Sequence, residues 1–327
     1  MASYDQVKAA LTLMHDELSA KSSAVLAVGV GFADENATRR EPGTDCVIVV
    51  ILDENGDDRA EAAFPSSVTL TADKLRSAAA DDEIDGDVEI PVRIEREDIQ
   101  PLIVKEQGEP VVEPLDDPAA RGAGAFLLGG DPIYTSAGDW IGTGGCVLRI
   151  YNTLCLVSNA HVLSEMGGVG GRVRDHRGRV DFATVNELRT APDSAWAQLD
   201  SDAGYRNDIP YIGQIRWVGG PMQLGWHGRK YGSSTGWSDF HFRFEGTTAG
   251  GTPAVGGWWE GQPHGGKPTV GNGDSGSVVV GDGGEVMGLV FAGSEKVGTS
   301  PGGSSFRKIW CVSNMWTAFP GPEVPAW

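Results

Sequence analysis

A chain of 327 residues with a formal net charge of −19 and a mean hydropathy of −0.20 is too long for one comfortable hydrophobic core, and too acidic to seek out nucleic-acid phosphates or anionic lipid, which like charge repels. The acidity is uneven, because residues 1–120 carry 27 Asp and Glu against 10 Lys and Arg, while the remainder is close to balanced. No run is apolar enough to span a membrane, nothing after Met1 resembles an export signal, and Cys46, Cys146, Cys155 and Cys311 have neither metal-site spacing nor disulfide-scaffold density. These are the features of a cytoplasmic protein with reduced thiols.

Ser3-Tyr4-Asp5-Gln6 reads as a capping box, and Val7, Leu11, Met14 and Leu18 share one helical face, so a helix is predicted from about Tyr4 to Ser19. Strands are expected at Val25 to Phe32, Cys46 to Leu52 and Val88 to Ile94, with a second helix near Ala72 to Ala80. Together they make a small α+β domain over residues 1–120. A Pro- and acid-rich stretch from Glu106 to Asp117, followed by Gly and Ala from Arg121 to Gly130, places a linker near 106–130. Short apolar strands punctuated by many of the 47 glycines fill the rest, which reads as a pair of all-β barrels.

Three residues in that second part point to nucleophilic chemistry. The apolar strand Leu154 to Ser158 runs into Asn159-Ala160-His161, which puts a histidine at a strand end. Asp193 heads Asp193-Ser194-Ala195-Trp196-Ala197-Gln198-Leu199, whose alternation is that of a half-buried strand. Asp175, Asp181, Asp200, Asp202 and Asp208 lack that context. Ser275 lies in Gly273-Asp274-Ser275-Gly276-Ser277, where flanking glycines remove Cβ atoms and let the Gly273 and Ser275 amides face one point, an oxyanion site. A serine hydroxyl needs a base such as His161, and that base needs a carboxylate such as Asp193 to fix its tautomer. His15, His176, His227, His241 and His264 have no comparable setting and are read as structural.

Through the Ala-His step, the Asp-x-Ala step and the Gly-Asp-Ser-Gly-Ser box, residues 121–327 resemble the chymotrypsin-like serine proteases. Val28-Gly29-Val30-Gly31, Gly142-Thr143-Gly144-Gly145 and Gly288 to Ser294 are similar to features of the bacterial and plant trypsin-like proteases with an extra N-terminal α/β segment, including the narrow-leaf proteins. The implied fold is mainly β, a double β-barrel preceded by a small α+β domain. The implied activity is an intracellular serine endopeptidase acting on protein or peptide substrates, with no metal or organic cofactor and no nucleic-acid or membrane partner.

The resemblance also implies that Thr269, Phe291, Ala292 and Gly293 line the substrate site. A threonine at 269, where trypsins place an aspartate, predicts cleavage after apolar or small residues. Secreted relatives pair the aspartate of the serine box with a newly released N-terminus; here an internal Lys or Arg is the expected partner of Asp274, with Ala120-Arg121-Gly122 leaving processing open. Cys146 and Cys155 would lie across a hairpin near Asn152. The N-terminal domain is expected to regulate, recruit substrate or support a homo-oligomer or effector complex. The rival readings are a non-catalytic assembly protein of protease fold and a serine esterase.

Overall fold

The computed structural model describes residues 2–34, 37, 40–41, 43–79, 86–104, 110, 126–175, 180–258 and 270–325. Thr269, Arg121, His176, His264 and most of the expected linker lie outside them. The fold is mainly β, with an α+β unit at the N-terminus, as the sequence predicts.

The smaller unit comprises Met1–Ile99 together with Gln223–Trp226 and His241–Gly256. Its first helix, Tyr4–Ala20, starts at a complete capping box in which Ser3 and Gln6 satisfy each other's backbone amides, and it buries Val7, Leu11 and Leu18. The strands Val25–Phe32 and Cys46–Asp53 pair antiparallel, and Cys46–Asp53 pairs parallel with Val88–Glu97, on whose far side lies Ser67–Leu70. The shorter helix Ala72–Ala79 fills the connection between the last two. Ile48, Val50, Leu52, Leu75 and Ile90 are fully buried, which explains why Cys46–Asp53 reads as a continuous apolar run and not an alternating one.

Residues 241–248 also belong to this unit, as a strand antiparallel to Val25–Phe32 with Gly29 opposite Gly246. A Cβ on Gly246 would stand 2.3 Å from the Val28 carbonyl, and one on Gly29 would stand 2.4 Å from that of Glu245. Glycine at both positions lets the two strands close. The Glu245 carboxylate then accepts from the Tyr4 hydroxyl at 2.7 Å and pairs with Lys8 at 2.8 Å, tying this strand to the first helix.

The larger unit comprises Gln100–Met222, His227–Phe240 and Gly257–Trp327. One of its sheets runs Trp140–Thr143, Pro132–Tyr134, Arg172–Arg174, Asp181–Thr190, Asp193–Leu199, Thr153–Ser158, Cys146–Ile150. It encloses Ile133, Leu156, Val173, Phe182, Ala195 and Ala197, all fully buried. In a second sheet, His227–Gly232, Val278–Val280, Glu285–Ser300 and Gly303–Val312 are neighbours in that order. Tyr151 and Asn152, at φ 48° and 64°, form the tight hairpin between Cys146–Ile150 and Thr153–Ser158. Cys146 stands opposite Val157 and Cys155 opposite Leu148, and both thiols are free and buried. Burial pushes Cys155 up to about 11, which keeps it a packing group at neutral pH.

Asp131 sits at a tight turn in this unit, only 3% exposed, and accepts from the Leu128 amide at 2.8 Å. Burial pushes its carboxyl up to about 7 against that hydrogen bond, and Asp175 adds repulsion. A value raised above that of the unfolded chain favours folding when the group is protonated. This contribution is full below the unfolded carboxylate range and is lost as pH rises through about 7. Asp131→Asn should therefore flatten the dependence of Tm on pH between about 4 and 7, removing a change in stability on the order of 3 kcal/mol across that range. Thermal melts of both proteins across that range check it.

Candidate active site

The strand Thr153–Ser158 pairs antiparallel with Asp193–Leu199, placing Ser158 opposite Ala195. Beyond Ser158 the chain turns at Asn159 into the one-turn helix Ala160–Ser164, so His161 stands one turn past a strand end. Asp193, at the start of the neighbouring strand, faces this turn. The Asn159 side-chain amide donates to the Asp193 carbonyl at 2.9 Å, and the Ala160 and His161 amides donate to Asp193 Oδ1 at 2.9 and 3.2 Å. Those donors hold the carboxylate still. Its other oxygen, Oδ2, lies 2.5 Å from His161 Nδ1.

On the far side of the ring, His161 Nε2 lies 2.8 Å from Ser275 Oγ. With Nδ1–H directed to Asp193, Nε2 is the acceptor that faces the hydroxyl. The Phe291 carbonyl is a second acceptor for the same hydroxyl at 3.0 Å. Thus the three residues singled out from the sequence lie together in their expected order. Three of the competing aspartates have other partners: Asp181 pairs with Arg174 at 3.0 Å, Asp208 pairs with Arg206 at 2.5 Å, and Asp200 is ion-paired with Arg172.

The turn that carries Ser275 is fixed by glycine geometry. Gly273 has φ 101°, and a Cβ there would come within 2.4 Å of the Trp140 ring; Gly276 has φ 93°, and a Cβ there would meet Ser158 Oγ at 2.1 Å. The Gly273 carbonyl accepts from Thr143 Oγ1 at 2.7 Å and from Ser233 Oγ at 2.8 Å. Its amide points the opposite way and donates to the Leu102 carbonyl at 2.8 Å.

Beneath this turn lies a charge pair that the sequence left unnamed. Asp274 accepts from the Ser234, Thr235 and Gly271 amides at 2.8, 3.1 and 3.0 Å and pairs with Lys230 Nζ at 2.6 Å. Both side chains are 0% exposed. Lys230 also donates to Thr235 Oγ1 and to the Gly236 carbonyl at 3.3 Å, so its charge is solvated by protein groups. Burial pulls the ammonium down and the Asp274 charge opposes that shift. The available signal was a lysine at an inward position of the strand His227–Gly232, where alternation calls for an apolar residue.

Of the residues expected to line the substrate site, Phe291, Ala292 and Gly293 lie along the strand Glu285–Ser300. Ala292 and Gly293 are paired antiparallel with Pro101 and Gln100. Thr269 is not among the described residues, and those residues hold no cluster of three or more side chains suited to a metal.

No protein-family model matches the sequence, and no curated protein matches it. The solved structures it resembles are serine proteases. Protease A of Thermobifida fusca is 18% identical, matched over 58% of this chain and 92% of its own, with a TM-score of 0.41. A glutamic acid specific serine protease is 13% identical over 61% of this chain and 100% of its own, with a TM-score of 0.44. The Nocardiopsis protease is 16% identical over 62% and 100%, with a TM-score of 0.43. At this level of likeness the functional argument rests on side-chain geometry.

Removing one partner of a buried ion pair strands the other charge, at a cost of about 3–5 kcal/mol. Lys230→Met should destabilise the protein by that amount, while Lys230→Met with Asp274→Asn should recover part of it, as urea unfolding of the two variants would measure.

Proposed function

We propose that this chain is an intracellular serine endopeptidase that cleaves protein substrates through an acyl-enzyme, with Ser275 as nucleophile, His161 as base and then acid, and Asp193 as the group that orients it. The observation that carries the reading is the unbroken relay of contacts from Asp193 Oδ2 to His161 Nδ1 at 2.5 Å and from His161 Nε2 to Ser275 Oγ at 2.8 Å. As Oγ attacks a substrate carbonyl, Nε2 takes its proton, and Asp193 stabilises the imidazolium that forms. The carbonyl oxygen gains charge and is met by the amides of Gly273 and Ser275. When the tetrahedral species collapses, His161 returns the proton to the leaving amine. A water then repeats the sequence on the ester.

The intracellular assignment rests on the scattered cysteines, and the mainly-β unit is read as a chymotrypsin-like double barrel of which the α+β unit is the regulatory, recruiting or assembly partner. An ester hydrolase would use the same three residues. The peptide reading is favoured because the edge at Ala292 and Gly293 accepts an extended backbone, a feature that a small acyl ester does not need.

A fluorophosphonate probe should label the wild type at Ser275 and leave Ser275→Ala and His161→Ala unlabelled, as mass spectrometry of the adduct would establish. Asp193→Asn should lower kcat on the order of 10⁴-fold by favouring the wrong tautomer. A wild type that takes up no label would sink the serine-hydrolase reading. In a separate assay, a leucyl reporter peptide should be turned over in preference to an arginyl one, and the reverse order would remove the apolar specificity.

A further inference from the structure

Residues 100–102 lie in the larger unit, alongside the strand that carries Phe291, Ala292 and Gly293. Gln100 and Pro101 pair antiparallel with Gly293 and Ala292. The Leu102 amide donates to the Phe291 carbonyl at 3.4 Å, and the Leu102 carbonyl accepts from the Gly273 amide at 2.8 Å. That same Phe291 carbonyl lies 3.0 Å from Ser275 Oγ. The Leu102 carbonyl thus accepts from the amide assigned above to the oxyanion, and the Leu102 amide and the Ser275 hydroxyl share the Phe291 carbonyl.

We infer that the chain is its own substrate: Gln100-Pro101-Leu102 occupies the cleft as the acyl side, and the bond cut is Leu102–Ile103. This rests on the reading of Ser275 as nucleophile. Side-chain chemistry agrees with the register. Leu102 is fully buried and apolar, in keeping with the cleavage after apolar residues that the threonine at 269 predicts from the sequence. Pro101 is exposed, and because Leu102 donates to Phe291, the adjacent pair of Pro101 with Ala292 is a non-hydrogen-bonded one, so the missing N–H forfeits no hydrogen bond.

The leaving side differs from the acyl side. Among the described residues, no backbone hydrogen bond holds Ile103 or Val104, and both are half-buried. A loop that resists cleavage keeps the amine in place so that the bond re-forms; here the described contacts fix the acyl side alone.

The step balances without any further reactant than water. Ser275 Oγ bonds to the Leu102 carbonyl carbon as its proton moves to His161 Nε2. The bond to the Ile103 nitrogen breaks, and that nitrogen takes the proton. Water then attacks the ester, giving a Leu102 carboxylate and restoring the Ser275 hydroxyl. The new Ile103 amine is not required at Asp274, whose carboxylate already holds Lys230. Departure of the segment opens the cleft to other chains.

The test is the intact mass of the full chain after overnight incubation, with amino-terminal sequencing of the pieces. The wild type should yield one piece ending at Leu102 and another beginning Ile103-Val104-Lys105, while Ser275→Ala stays whole. The first-order rate should not change over a tenfold range of protein concentration, as befits a cut within one chain. Leu102→Arg should slow the cut at least 100-fold, and Leu102→Met should keep it. A wild type that stays whole, a cut at another bond, an equal cut in Ser275→Ala or an unslowed Leu102→Arg would each overturn the proposal. Fluorophosphonate labelling and reporter turnover in a whole wild type would show that the protease reading survives, and their loss in wild type and Leu102→Arg together would show that it fails as well.

Discussion

Everything in the candidate site depends on the buried pair between Lys230 and Asp274. A carboxylate with no solvent access must find its counter-charge and donors within the protein. Asp274 finds them on two separate segments: Lys230 of the strand His227–Gly232 with Ser234 and Thr235 just beyond it, and the Gly271 amide of its own segment. Joining the segments in this way leaves one conformation for the residues on either side of Asp274. Gly273 and Ser275 are those residues. The cation is a side chain of the fold itself, so the pair forms without a newly released amino terminus.

A second constraint is the lack of space around the turn. Positive φ at Gly273 and Gly276 would strain any other residue, and the Trp140 ring and Ser158 hydroxyl fill the positions where Cβ atoms would stand. Thr143 and Ser233 both donate to the Gly273 carbonyl, which fixes the peptide plane that leads from Gly273 into Asp274. Asp193 is held by the same economy of means. Its backbone carbonyl and one carboxylate oxygen serve the Asn159–His161 turn, leaving the other oxygen for the imidazole. Position and tautomer of the His161 ring therefore follow from one residue.

Local chemistry made much of this legible in the sequence. The Ser3–Gln6 box fixed the start of the first helix, the alternation after Asp193 marked a strand, and the glycines around Ser275 announced a turn. Non-local pairing was not legible. Residues 241–248 look like any strand of the second part, and only the fit of Gly246 against Val28 and Gly29 reveals where they belong. Lys230 was foreseen as a type of residue but not as a position, because its meaning depends on a carboxylate 44 residues later. Gln100-Pro101-Leu102 carries no local sign of its place, since an extended apolar stretch after a proline reads as a plain connector.

The strand shared between the early and late parts of the chain bears on synthesis. Val25–Phe32 and Cys46–Asp53 leave the ribosome about 190 residues before His241–Gly256, the segment that covers the outer edge of Val25–Phe32. At typical translation rates the gap is roughly 10–40 s. Through that interval an apolar strand with unpaired backbone groups stands open, the condition that invites edge-to-edge association with neighbouring nascent chains. Chaperone demand during translation is thus written into the topology, at a point set by two glycines on facing strands.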